Sequence, residues 1–272
     1  MSDFAVLGKY GKCFSTGLKA GFEYRINVLF SIAGAIAPVV IQTALWIALY
    51  SHDANETMFG FTFAQMVSYT VIAQLVSRLV RTGFEYDLDN DIRTGSLDRY
   101  LVKPVGYFGF RLFSFLGDKL VQSLVMGLLI AVAVAFLAII IGFPLSAASM
   151  LLFIAAMLIA FTLNFLLFWC VGLAGFWLTE IGFLFEAVRI VIIALSGGIF
   201  PLAVFGPSAG RVLSFLPFRF TIQFPTELLC GRIPSASVAP SFALAAFWIL
   251  FLAALSQLVW RRGIRRFAAV GS

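Results

Sequence analysis

The chain has 272 residues, of which 61% are hydrophobic and only 12% charged, with a mean hydropathy of +1.01. Soluble domains carry about 25% charged residues, so this composition defines a polytopic membrane protein, and the length accommodates about six spans of roughly 20 residues each. The net charge of +6 is therefore no nucleic-acid signal, because basic residues in a membrane protein mark the loops that stay in the cytoplasm. Three scattered cysteines, Cys13, Cys170 and Cys230, suit neither a disulfide framework nor a zinc site, and a single histidine, His52, leaves no histidine cluster, so no metal site is expected.

Residues 1–25 carry Lys9, Lys12, Lys19 and Arg25, with Leu7, Tyr10, Phe14, Leu18 and Phe22 at helical spacing. The pattern predicts a basic amphipathic helix lying in the membrane interface; a frayed basic tail is the alternative. No short apolar core precedes a small-residue cleavage site here, so no cleavable signal peptide is expected. Ile26 to Tyr50 is uncharged and predicts a first span, with Pro38 tolerated because neighbouring helices re-satisfy the freed carbonyl. Ser51 to Gly60 holds His52, Asp53 and Glu56 but no Lys or Arg, and reads as an outside loop. Phe61 to Ser77 predicts a second span that ends inside at Arg78 and Arg81.

Gly83 to Pro104 is the one strongly charged segment in the interior of the chain. Glu85, Asp87, Asp89, Asp91 and Asp98 supply five of the thirteen carboxylates, and Arg93, Arg99 and Lys103 lie among them. Ile92, Leu97, Tyr100 and Leu101 are interleaved with the charges. We read the segment as a cytosolic docking element, since a solvated tether does not need apolar residues between its charges. Gly95 is placed to break a helix and Pro104 to end it.

From Leu120 to Leu178 no residue is charged, a length suited to two crossings with an outside turn at Gly142 to Ser146. Glu180, Glu186 and Arg189 mark a return to the inside, with Glu186 and Arg189 spaced to pair on one helix face. A fifth span is expected from about Ile190 to Phe200, and a sixth from Phe242 to Trp260 that stops at Arg261, Arg262, Arg265 and Arg266. This topology keeps sixteen of the nineteen basic residues inside. Six helices with both termini cytoplasmic is the consistent solution.

The three exceptions, Arg211, Arg219 and Arg232, fall between the fifth and sixth spans, where five of the nine prolines also lie. Gly197, Gly198, Pro201, Pro217, Phe218 and Pro225 make residues 201–240 too broken for a spanning helix and too apolar for an open loop. A re-entrant, extracytoplasmic helical hairpin fits both facts; an apolar loop resting on the membrane is the alternative. Glu227, near Arg219 and Arg232, is a candidate exit gate or an interfacial ion-pair partner.

These features together resemble the permease subunits of type-2 ABC exporters. Asp91-Ile92-Arg93-Thr94-Gly95 followed by Leu101-Val102-Lys103-Pro104 is similar to that family's charged loop. Ser196-Gly197-Gly198-Ile199-Phe200-Pro201, then Leu216-Pro217-Phe218, Pro225 and Gly231, is similar to the hairpin of its drug-exporter permeases. The resemblance implies a single permease domain over residues 1–272 that pairs with a second permease, either a second copy or a related paralogue. It also implies two separate ATPase subunits that bind ATP and Mg, since no Gly-x-x-x-x-Gly-Lys-Ser/Thr occurs here. No cofactor and no catalytic residue are expected on this chain. Residues 83–104 then become the coupling helix, with Asp89, Asp91, Ile92, Arg93, Gly95, Leu97, Tyr100 and Leu101 meeting the ATPase.

The cargo has to be read from the cavity wall. Thirty-one Phe, seven Tyr and five Trp suit hydrophobic or cationic compounds, although Phe at helical spacing also serves lipid-facing and core positions. Gln42, Gln74 and Asn164 are the polar candidates for a cavity, with inter-helix hydrogen bonding as their alternative role. The expectation is a drug-exporting permease of a bacterial inner membrane. An ion-gradient-driven transporter, an ABC exporter of lipid or polysaccharide, and an intramembrane enzyme are the rival readings. The second and fourth of these four are weakened by the lack of carboxylates in mid-span and of a histidine cluster.

Overall fold

A computed structural model describes residues 3–23, 25–51, 57–101, 106–141 and 146–270, with side chains described for 9–21, 34, 36–51, 57–100, 106–139 and 146–267. The described residues form helices and no strand. In order these are α1 (Asp3–Glu23), α2 (Arg25–Leu49), α3 (Phe63–Val80), α4 (Phe84–Arg93), α5 (Asp98–Leu101), α6 (Tyr107–Ile141), α7 (Ala147–Gly172), α8 (Gly182–Leu195), α9 (Gly206–Phe215), α10 (Gln223–Leu229) and α11 (Ser235–Val270).

Among the described residues, four stretches are long and apolar enough to cross a membrane: Phe63–Arg93, Tyr107–Ile139, Ala147–Phe176 and Ser235–Phe267. Two of the six expected spans are thus not of this kind. In α2 the described apolar stretch is Ile36–Leu49. The 14 residues of α8 rise about 21 Å, short of a hydrocarbon core of about 30 Å. The turn expected at 142–146 and the loop charges His52, Asp53 and Glu56 lie outside the described residues, Ser146 apart, as do Lys103 and Pro104.

Several boundaries move. The fifth helix begins at Gly182 and ends at Leu195, so Glu186 and Arg189 lie inside it rather than ahead of it. Its ionic partners, described below, are what let these charges sit within a helix. α11 starts at Ser235 and runs past Arg266, so residues 235–240 of the expected hairpin belong to this long helix.

α7 is the central element and packs against α11, α10 and α4. An aromatic cluster fills the space between them: Phe84 stacks on Phe165 with ring centroids 4.5 Å apart, and Tyr107 stacks on Trp260 at 5.8 Å. Phe165 and Tyr107 are buried core packing, while Phe84 is only half-buried. α6 and α11 turn broad apolar faces outward, including Leu124, Leu128, Phe136, Phe247, Leu250 and Phe251. That exposure suits lipid contact or a second chain.

α1 lies along the charged end of α6. Glycines allow the approach: a Cβ on Gly17 would sit 1.9 Å from the Ser114 carbonyl oxygen, and one on Gly117 would sit 2.3 Å from the Phe14 carbonyl oxygen. Tyr10 packs on Phe113 at 4.9 Å. Small residues at such a crossing let two backbones touch, as in membrane helix pairs.

Candidate functional site: the anchored charged segment and the glycine turn

α4 is amphipathic in charge as well as in hydrophobicity. Glu85, Leu88, Asp91 and Ile92 recur at three- and four-residue spacing and are buried, while Tyr86, Asn90 and Arg93 on the opposite face are exposed. Gly95 adopts φ +73°, and its amide donates to the Ile92 carbonyl. The chain therefore turns after Arg93 in the left-handed region that glycine enters without steric cost.

Two ionic clusters fasten the buried face. Glu85 is fully buried, and the Arg189 guanidinium of α8 donates to it at 2.6 Å and to the Thr82 carbonyl at 3.2 Å. The same guanidinium lies 5.1 Å over the Phe168 ring and 3.5 Å from Glu186. Tyr86 closes this cluster by donating to Glu186 at 2.5 Å. The second cluster joins α4 to α6. Arg111 pairs with Asp91 and with Asp87 at 2.9 Å. Asp91 also accepts from Tyr107 at 2.6 Å and from Ser96 at 2.8 Å.

The residues expected to dock divide between buried and exposed positions. Asp91, Ile92 and Leu97 are buried and committed to the protein's own core and ion pairs. Tyr100 is half-buried and packs on Tyr107 and Phe110. The Leu101 side chain lies outside the described residues. Arg93 is exposed, Asp89 half-exposed, and Asn90, Thr94, Asp98 and Arg99 extend the open face. Leu88 points at Gly172, where a Cβ would come within 2.6 Å of the leucine Cδ2. α4 therefore seats Leu88 on α7 where α7 has no side chain, beside the Phe84–Phe165 stack.

α8 ends in a second polar assembly. Gly197 has φ +78°, and its carbonyl accepts the Tyr69 hydroxyl at 2.6 Å. The Gly198 carbonyl accepts Gln74 Nε2 at 3.0 Å, and the same amide reaches Gln42 at 3.4 Å. Gln223 completes the clasp: its backbone N–H donates to the Ser196 carbonyl at 2.9 Å, and its Oε1 accepts from the Leu202 amide at 3.0 Å. A Cβ on Gly197 would lie 2.6 Å from both the Tyr69 hydroxyl and Gln223 Oε1. Asn164 donates to the Val80 carbonyl. Gln42, Gln74 and Asn164 thus bond one helix to another, which is the alternative the sequence left open.

Beyond the turn, Pro201 leads into the helical turn Leu202–Phe205, Pro217 opens the turn Pro217–Thr221 next to a half-buried Phe218, and Pro225 is buried in α10. Glu227 pairs with Arg219 at 3.3 Å and accepts from Gln223 at 2.6 Å. Arg232 goes elsewhere: it donates to Gln65 at 2.6 Å and to the Gly60 carbonyl at 2.7 Å, and lies 3.6 Å over Phe61. A separate cavity of about 870 Å³ opens between α1, α3, α4 and α6.

The partners of Arg189 and Arg111 escape a local reading, which pairs Arg189 with Glu186. The available signal is that an arginine within an apolar helix needs a carboxylate, and the uncharged stretch before it leaves the 83–104 segment as the richest source.

The fold defines a helical, multi-pass membrane protein with a charged segment locked into its body. A family model described as ABC-2 family transporter protein matches residues 36–271, and the chain belongs to that family. It is accordingly a membrane component of an ABC transporter, a class that works with an ABC ATPase. A search of curated proteins finds no match to the chain.

Proposed function

We propose that this chain is the permease subunit of an ATP-driven exporter. Two permeases, either two copies of this chain or this chain and a paralogue, enclose the pathway, and two separate ATPases bind ATP and Mg beneath it. The chain forms a single domain that crosses the bacterial inner membrane six times, through α2, α3, α6, α7, α8 and α11, with both termini cytoplasmic. α1 lies in the interface and the segment around α9 and α10 dips into the outer leaflet as a re-entrant hairpin. The cargo is a hydrophobic or cationic small molecule.

The observation that carries this reading is the one-sided anchoring of α4. Its inner face is fixed by buried ion pairs, while Asn90 and Arg93, with Asp98 and Arg99 of the adjoining α5, are left exposed. A helix held this firmly on one side and open on the other can pass a push from a bound ATPase to the helices behind it. Closure of the ATPases then drives a rigid-body change from an inward-facing to an outward-facing state.

The test is an Arg93→Ala, Arg99→Ala double variant, whose side chains have no ion-pair partner among the described residues. It should insert normally and lose ATPase co-purification together with transport. If it still holds its ATPase and still exports, the docking surface lies elsewhere. A drug-sensitivity panel on a deletion strain, with hydrophobic cations included, addresses the cargo: unchanged sensitivity across the panel removes the drug-like reading.

A further inference from the structure

We infer that the cavity between α1, α3, α4 and α6 is a binding site for the phosphate-bearing headgroup of an anionic phospholipid. Its volume of about 870 Å³ falls in the range of ligand pockets, about 300–1,000 Å³. Its wall carries four cations, Arg78, Arg81, Arg111 and Lys119, against two carboxylates, Asp87 and Asp118.

Those charges are unevenly satisfied. Arg111 is committed to Asp87 and Asp91, and Asp118 accepts from Gln122 at 2.7 Å. The other three cations enter none of the ion pairs formed among the described residues. Lys119 is buried and donates to the neutral Gln122 Oε1 at 2.6 Å beside the Phe115 ring at 5.6 Å, while the carboxylates of Asp118 and Glu85 act on it from beyond ion-pair distance. Arg78 donates to the Gly34 carbonyl at 2.6 Å. Like charges gathered at the edge of an apolar body repel strongly, and an anion between them removes that cost.

Apolar residues share the wall: Phe84, Phe115 and Met126 line the same cavity, Met126 one helical turn beyond Gln122 on α6. On the same face of α6, Leu129, Ala133 and Phe136 line a further apolar groove with Val71 and Leu75 of α3. A site that joins cations to an apolar wall and groove matches an amphiphile, not a soluble anion. Basic pockets between helices at the cytoplasmic boundary take anionic lipid headgroups in this way. Assignment to the inner leaflet rests on the cytoplasmic placement of α4 proposed above; the binding itself does not.

The experiment is native mass spectrometry of the full chain, purified in mild detergent with whatever subunits accompany it, titrated with phosphatidylglycerol and with phosphatidylcholine. Phosphatidylglycerol should bind at a concentration about tenfold lower, and an Arg78→Gln, Arg81→Gln variant should lose that preference. An Arg93→Gln variant, altered outside the cavity, should keep it. Equal retention of the two lipids by the unaltered chain, or an undiminished preference in the double variant, overturns the assignment. Displacement of the lipid by millimolar glycerol 3-phosphate would show a site that reads a soluble phosphate, and overturns it too. Failure of ATPase docking in the Arg93, Arg99 test leaves this result untouched, so the two claims fail separately.

Discussion

Glu85 and Arg189 are 104 positions apart in the chain and 2.6 Å apart in the fold. This one contact joins the charged segment after α3 to the short helix that ends at the glycine turn. Both side chains are buried, so neither charge has water to fall back on.

Removing Arg189 leaves the fully buried Glu85 carboxylate uncompensated, at a cost of about 3–5 kcal/mol, and removing Glu85 leaves Arg189 only the more distant and more exposed Glu186 at 3.5 Å. Glu85→Ala and Arg189→Ala should each lower the thermal aggregation temperature in detergent sharply. A Glu85→Gln, Arg189→Met double variant should recover most of the loss, because neither charge is then orphaned. Equal loss in single and double variants would show that the pair does not bear the stability assigned to it.

The approach of Leu88 to Gly172 predicts a size-exchange result. Gly172→Ala should impair assembly and transport, since the new methyl group meets the leucine Cδ2 at 2.6 Å. Adding Leu88→Ala should restore assembly, at the residual cost of a truncated core leucine, about 2–5 kcal/mol. Expression level and size-exclusion profile of the three variants check this.

Gly197→Ala combines a left-handed backbone, at about 1–2 kcal/mol, with a collision at the Tyr69 hydroxyl and Gln223 Oε1. The turn should open while α4 keeps its anchors. Transport should therefore fall while the bound ATPase is retained. Loss of both together would mean that the turn and the charged segment are a single structural unit.

Arg232 holds the 57–62 loop through Gln65 and the Gly60 carbonyl, on the side away from α4. Arg232→Ala should raise protease sensitivity near Gly60 in outside-facing preparations, with less than about 1 kcal/mol lost from overall stability because the bonds are exposed. Cleavage from the opposite membrane face would contradict the proposed topology.

The four long spans are legible in the sequence as apolar runs: charges at Arg78 and Arg261 close two of them, and the Gly142 to Ser146 break divides the uncharged stretch from Leu120 to Leu178 into the other two. The same rule misplaces the fifth helix. It treats Glu186 and Arg189 as the edge of the membrane, whereas Arg189 is drawn into the helix by Glu85, a partner that local spacing does not reveal. Gly95 and Gly197 are legible as breaks, since no other residue enters their backbone region at so little cost. The docking surface is legible only in part. Ile92, Leu97 and Asp91 look like contact residues in a charged segment, but helical spacing alone does not say which face meets the protein and which meets a partner. The cations of the α1–α6 cavity are legible as inside markers, and their convergence is a property of the fold.

The helical rise places Gly197 about 12 Å beyond Arg189 along α8, less than half of a hydrocarbon core of about 30 Å. The buried ion pair at Arg189 and the clasp formed by Tyr69, Gln74 and Gln223 are therefore little more than two helical turns apart. A displacement of α4 that reaches Arg189 through Glu85 has only this short stretch of helix to cross before it meets the Gly197 turn.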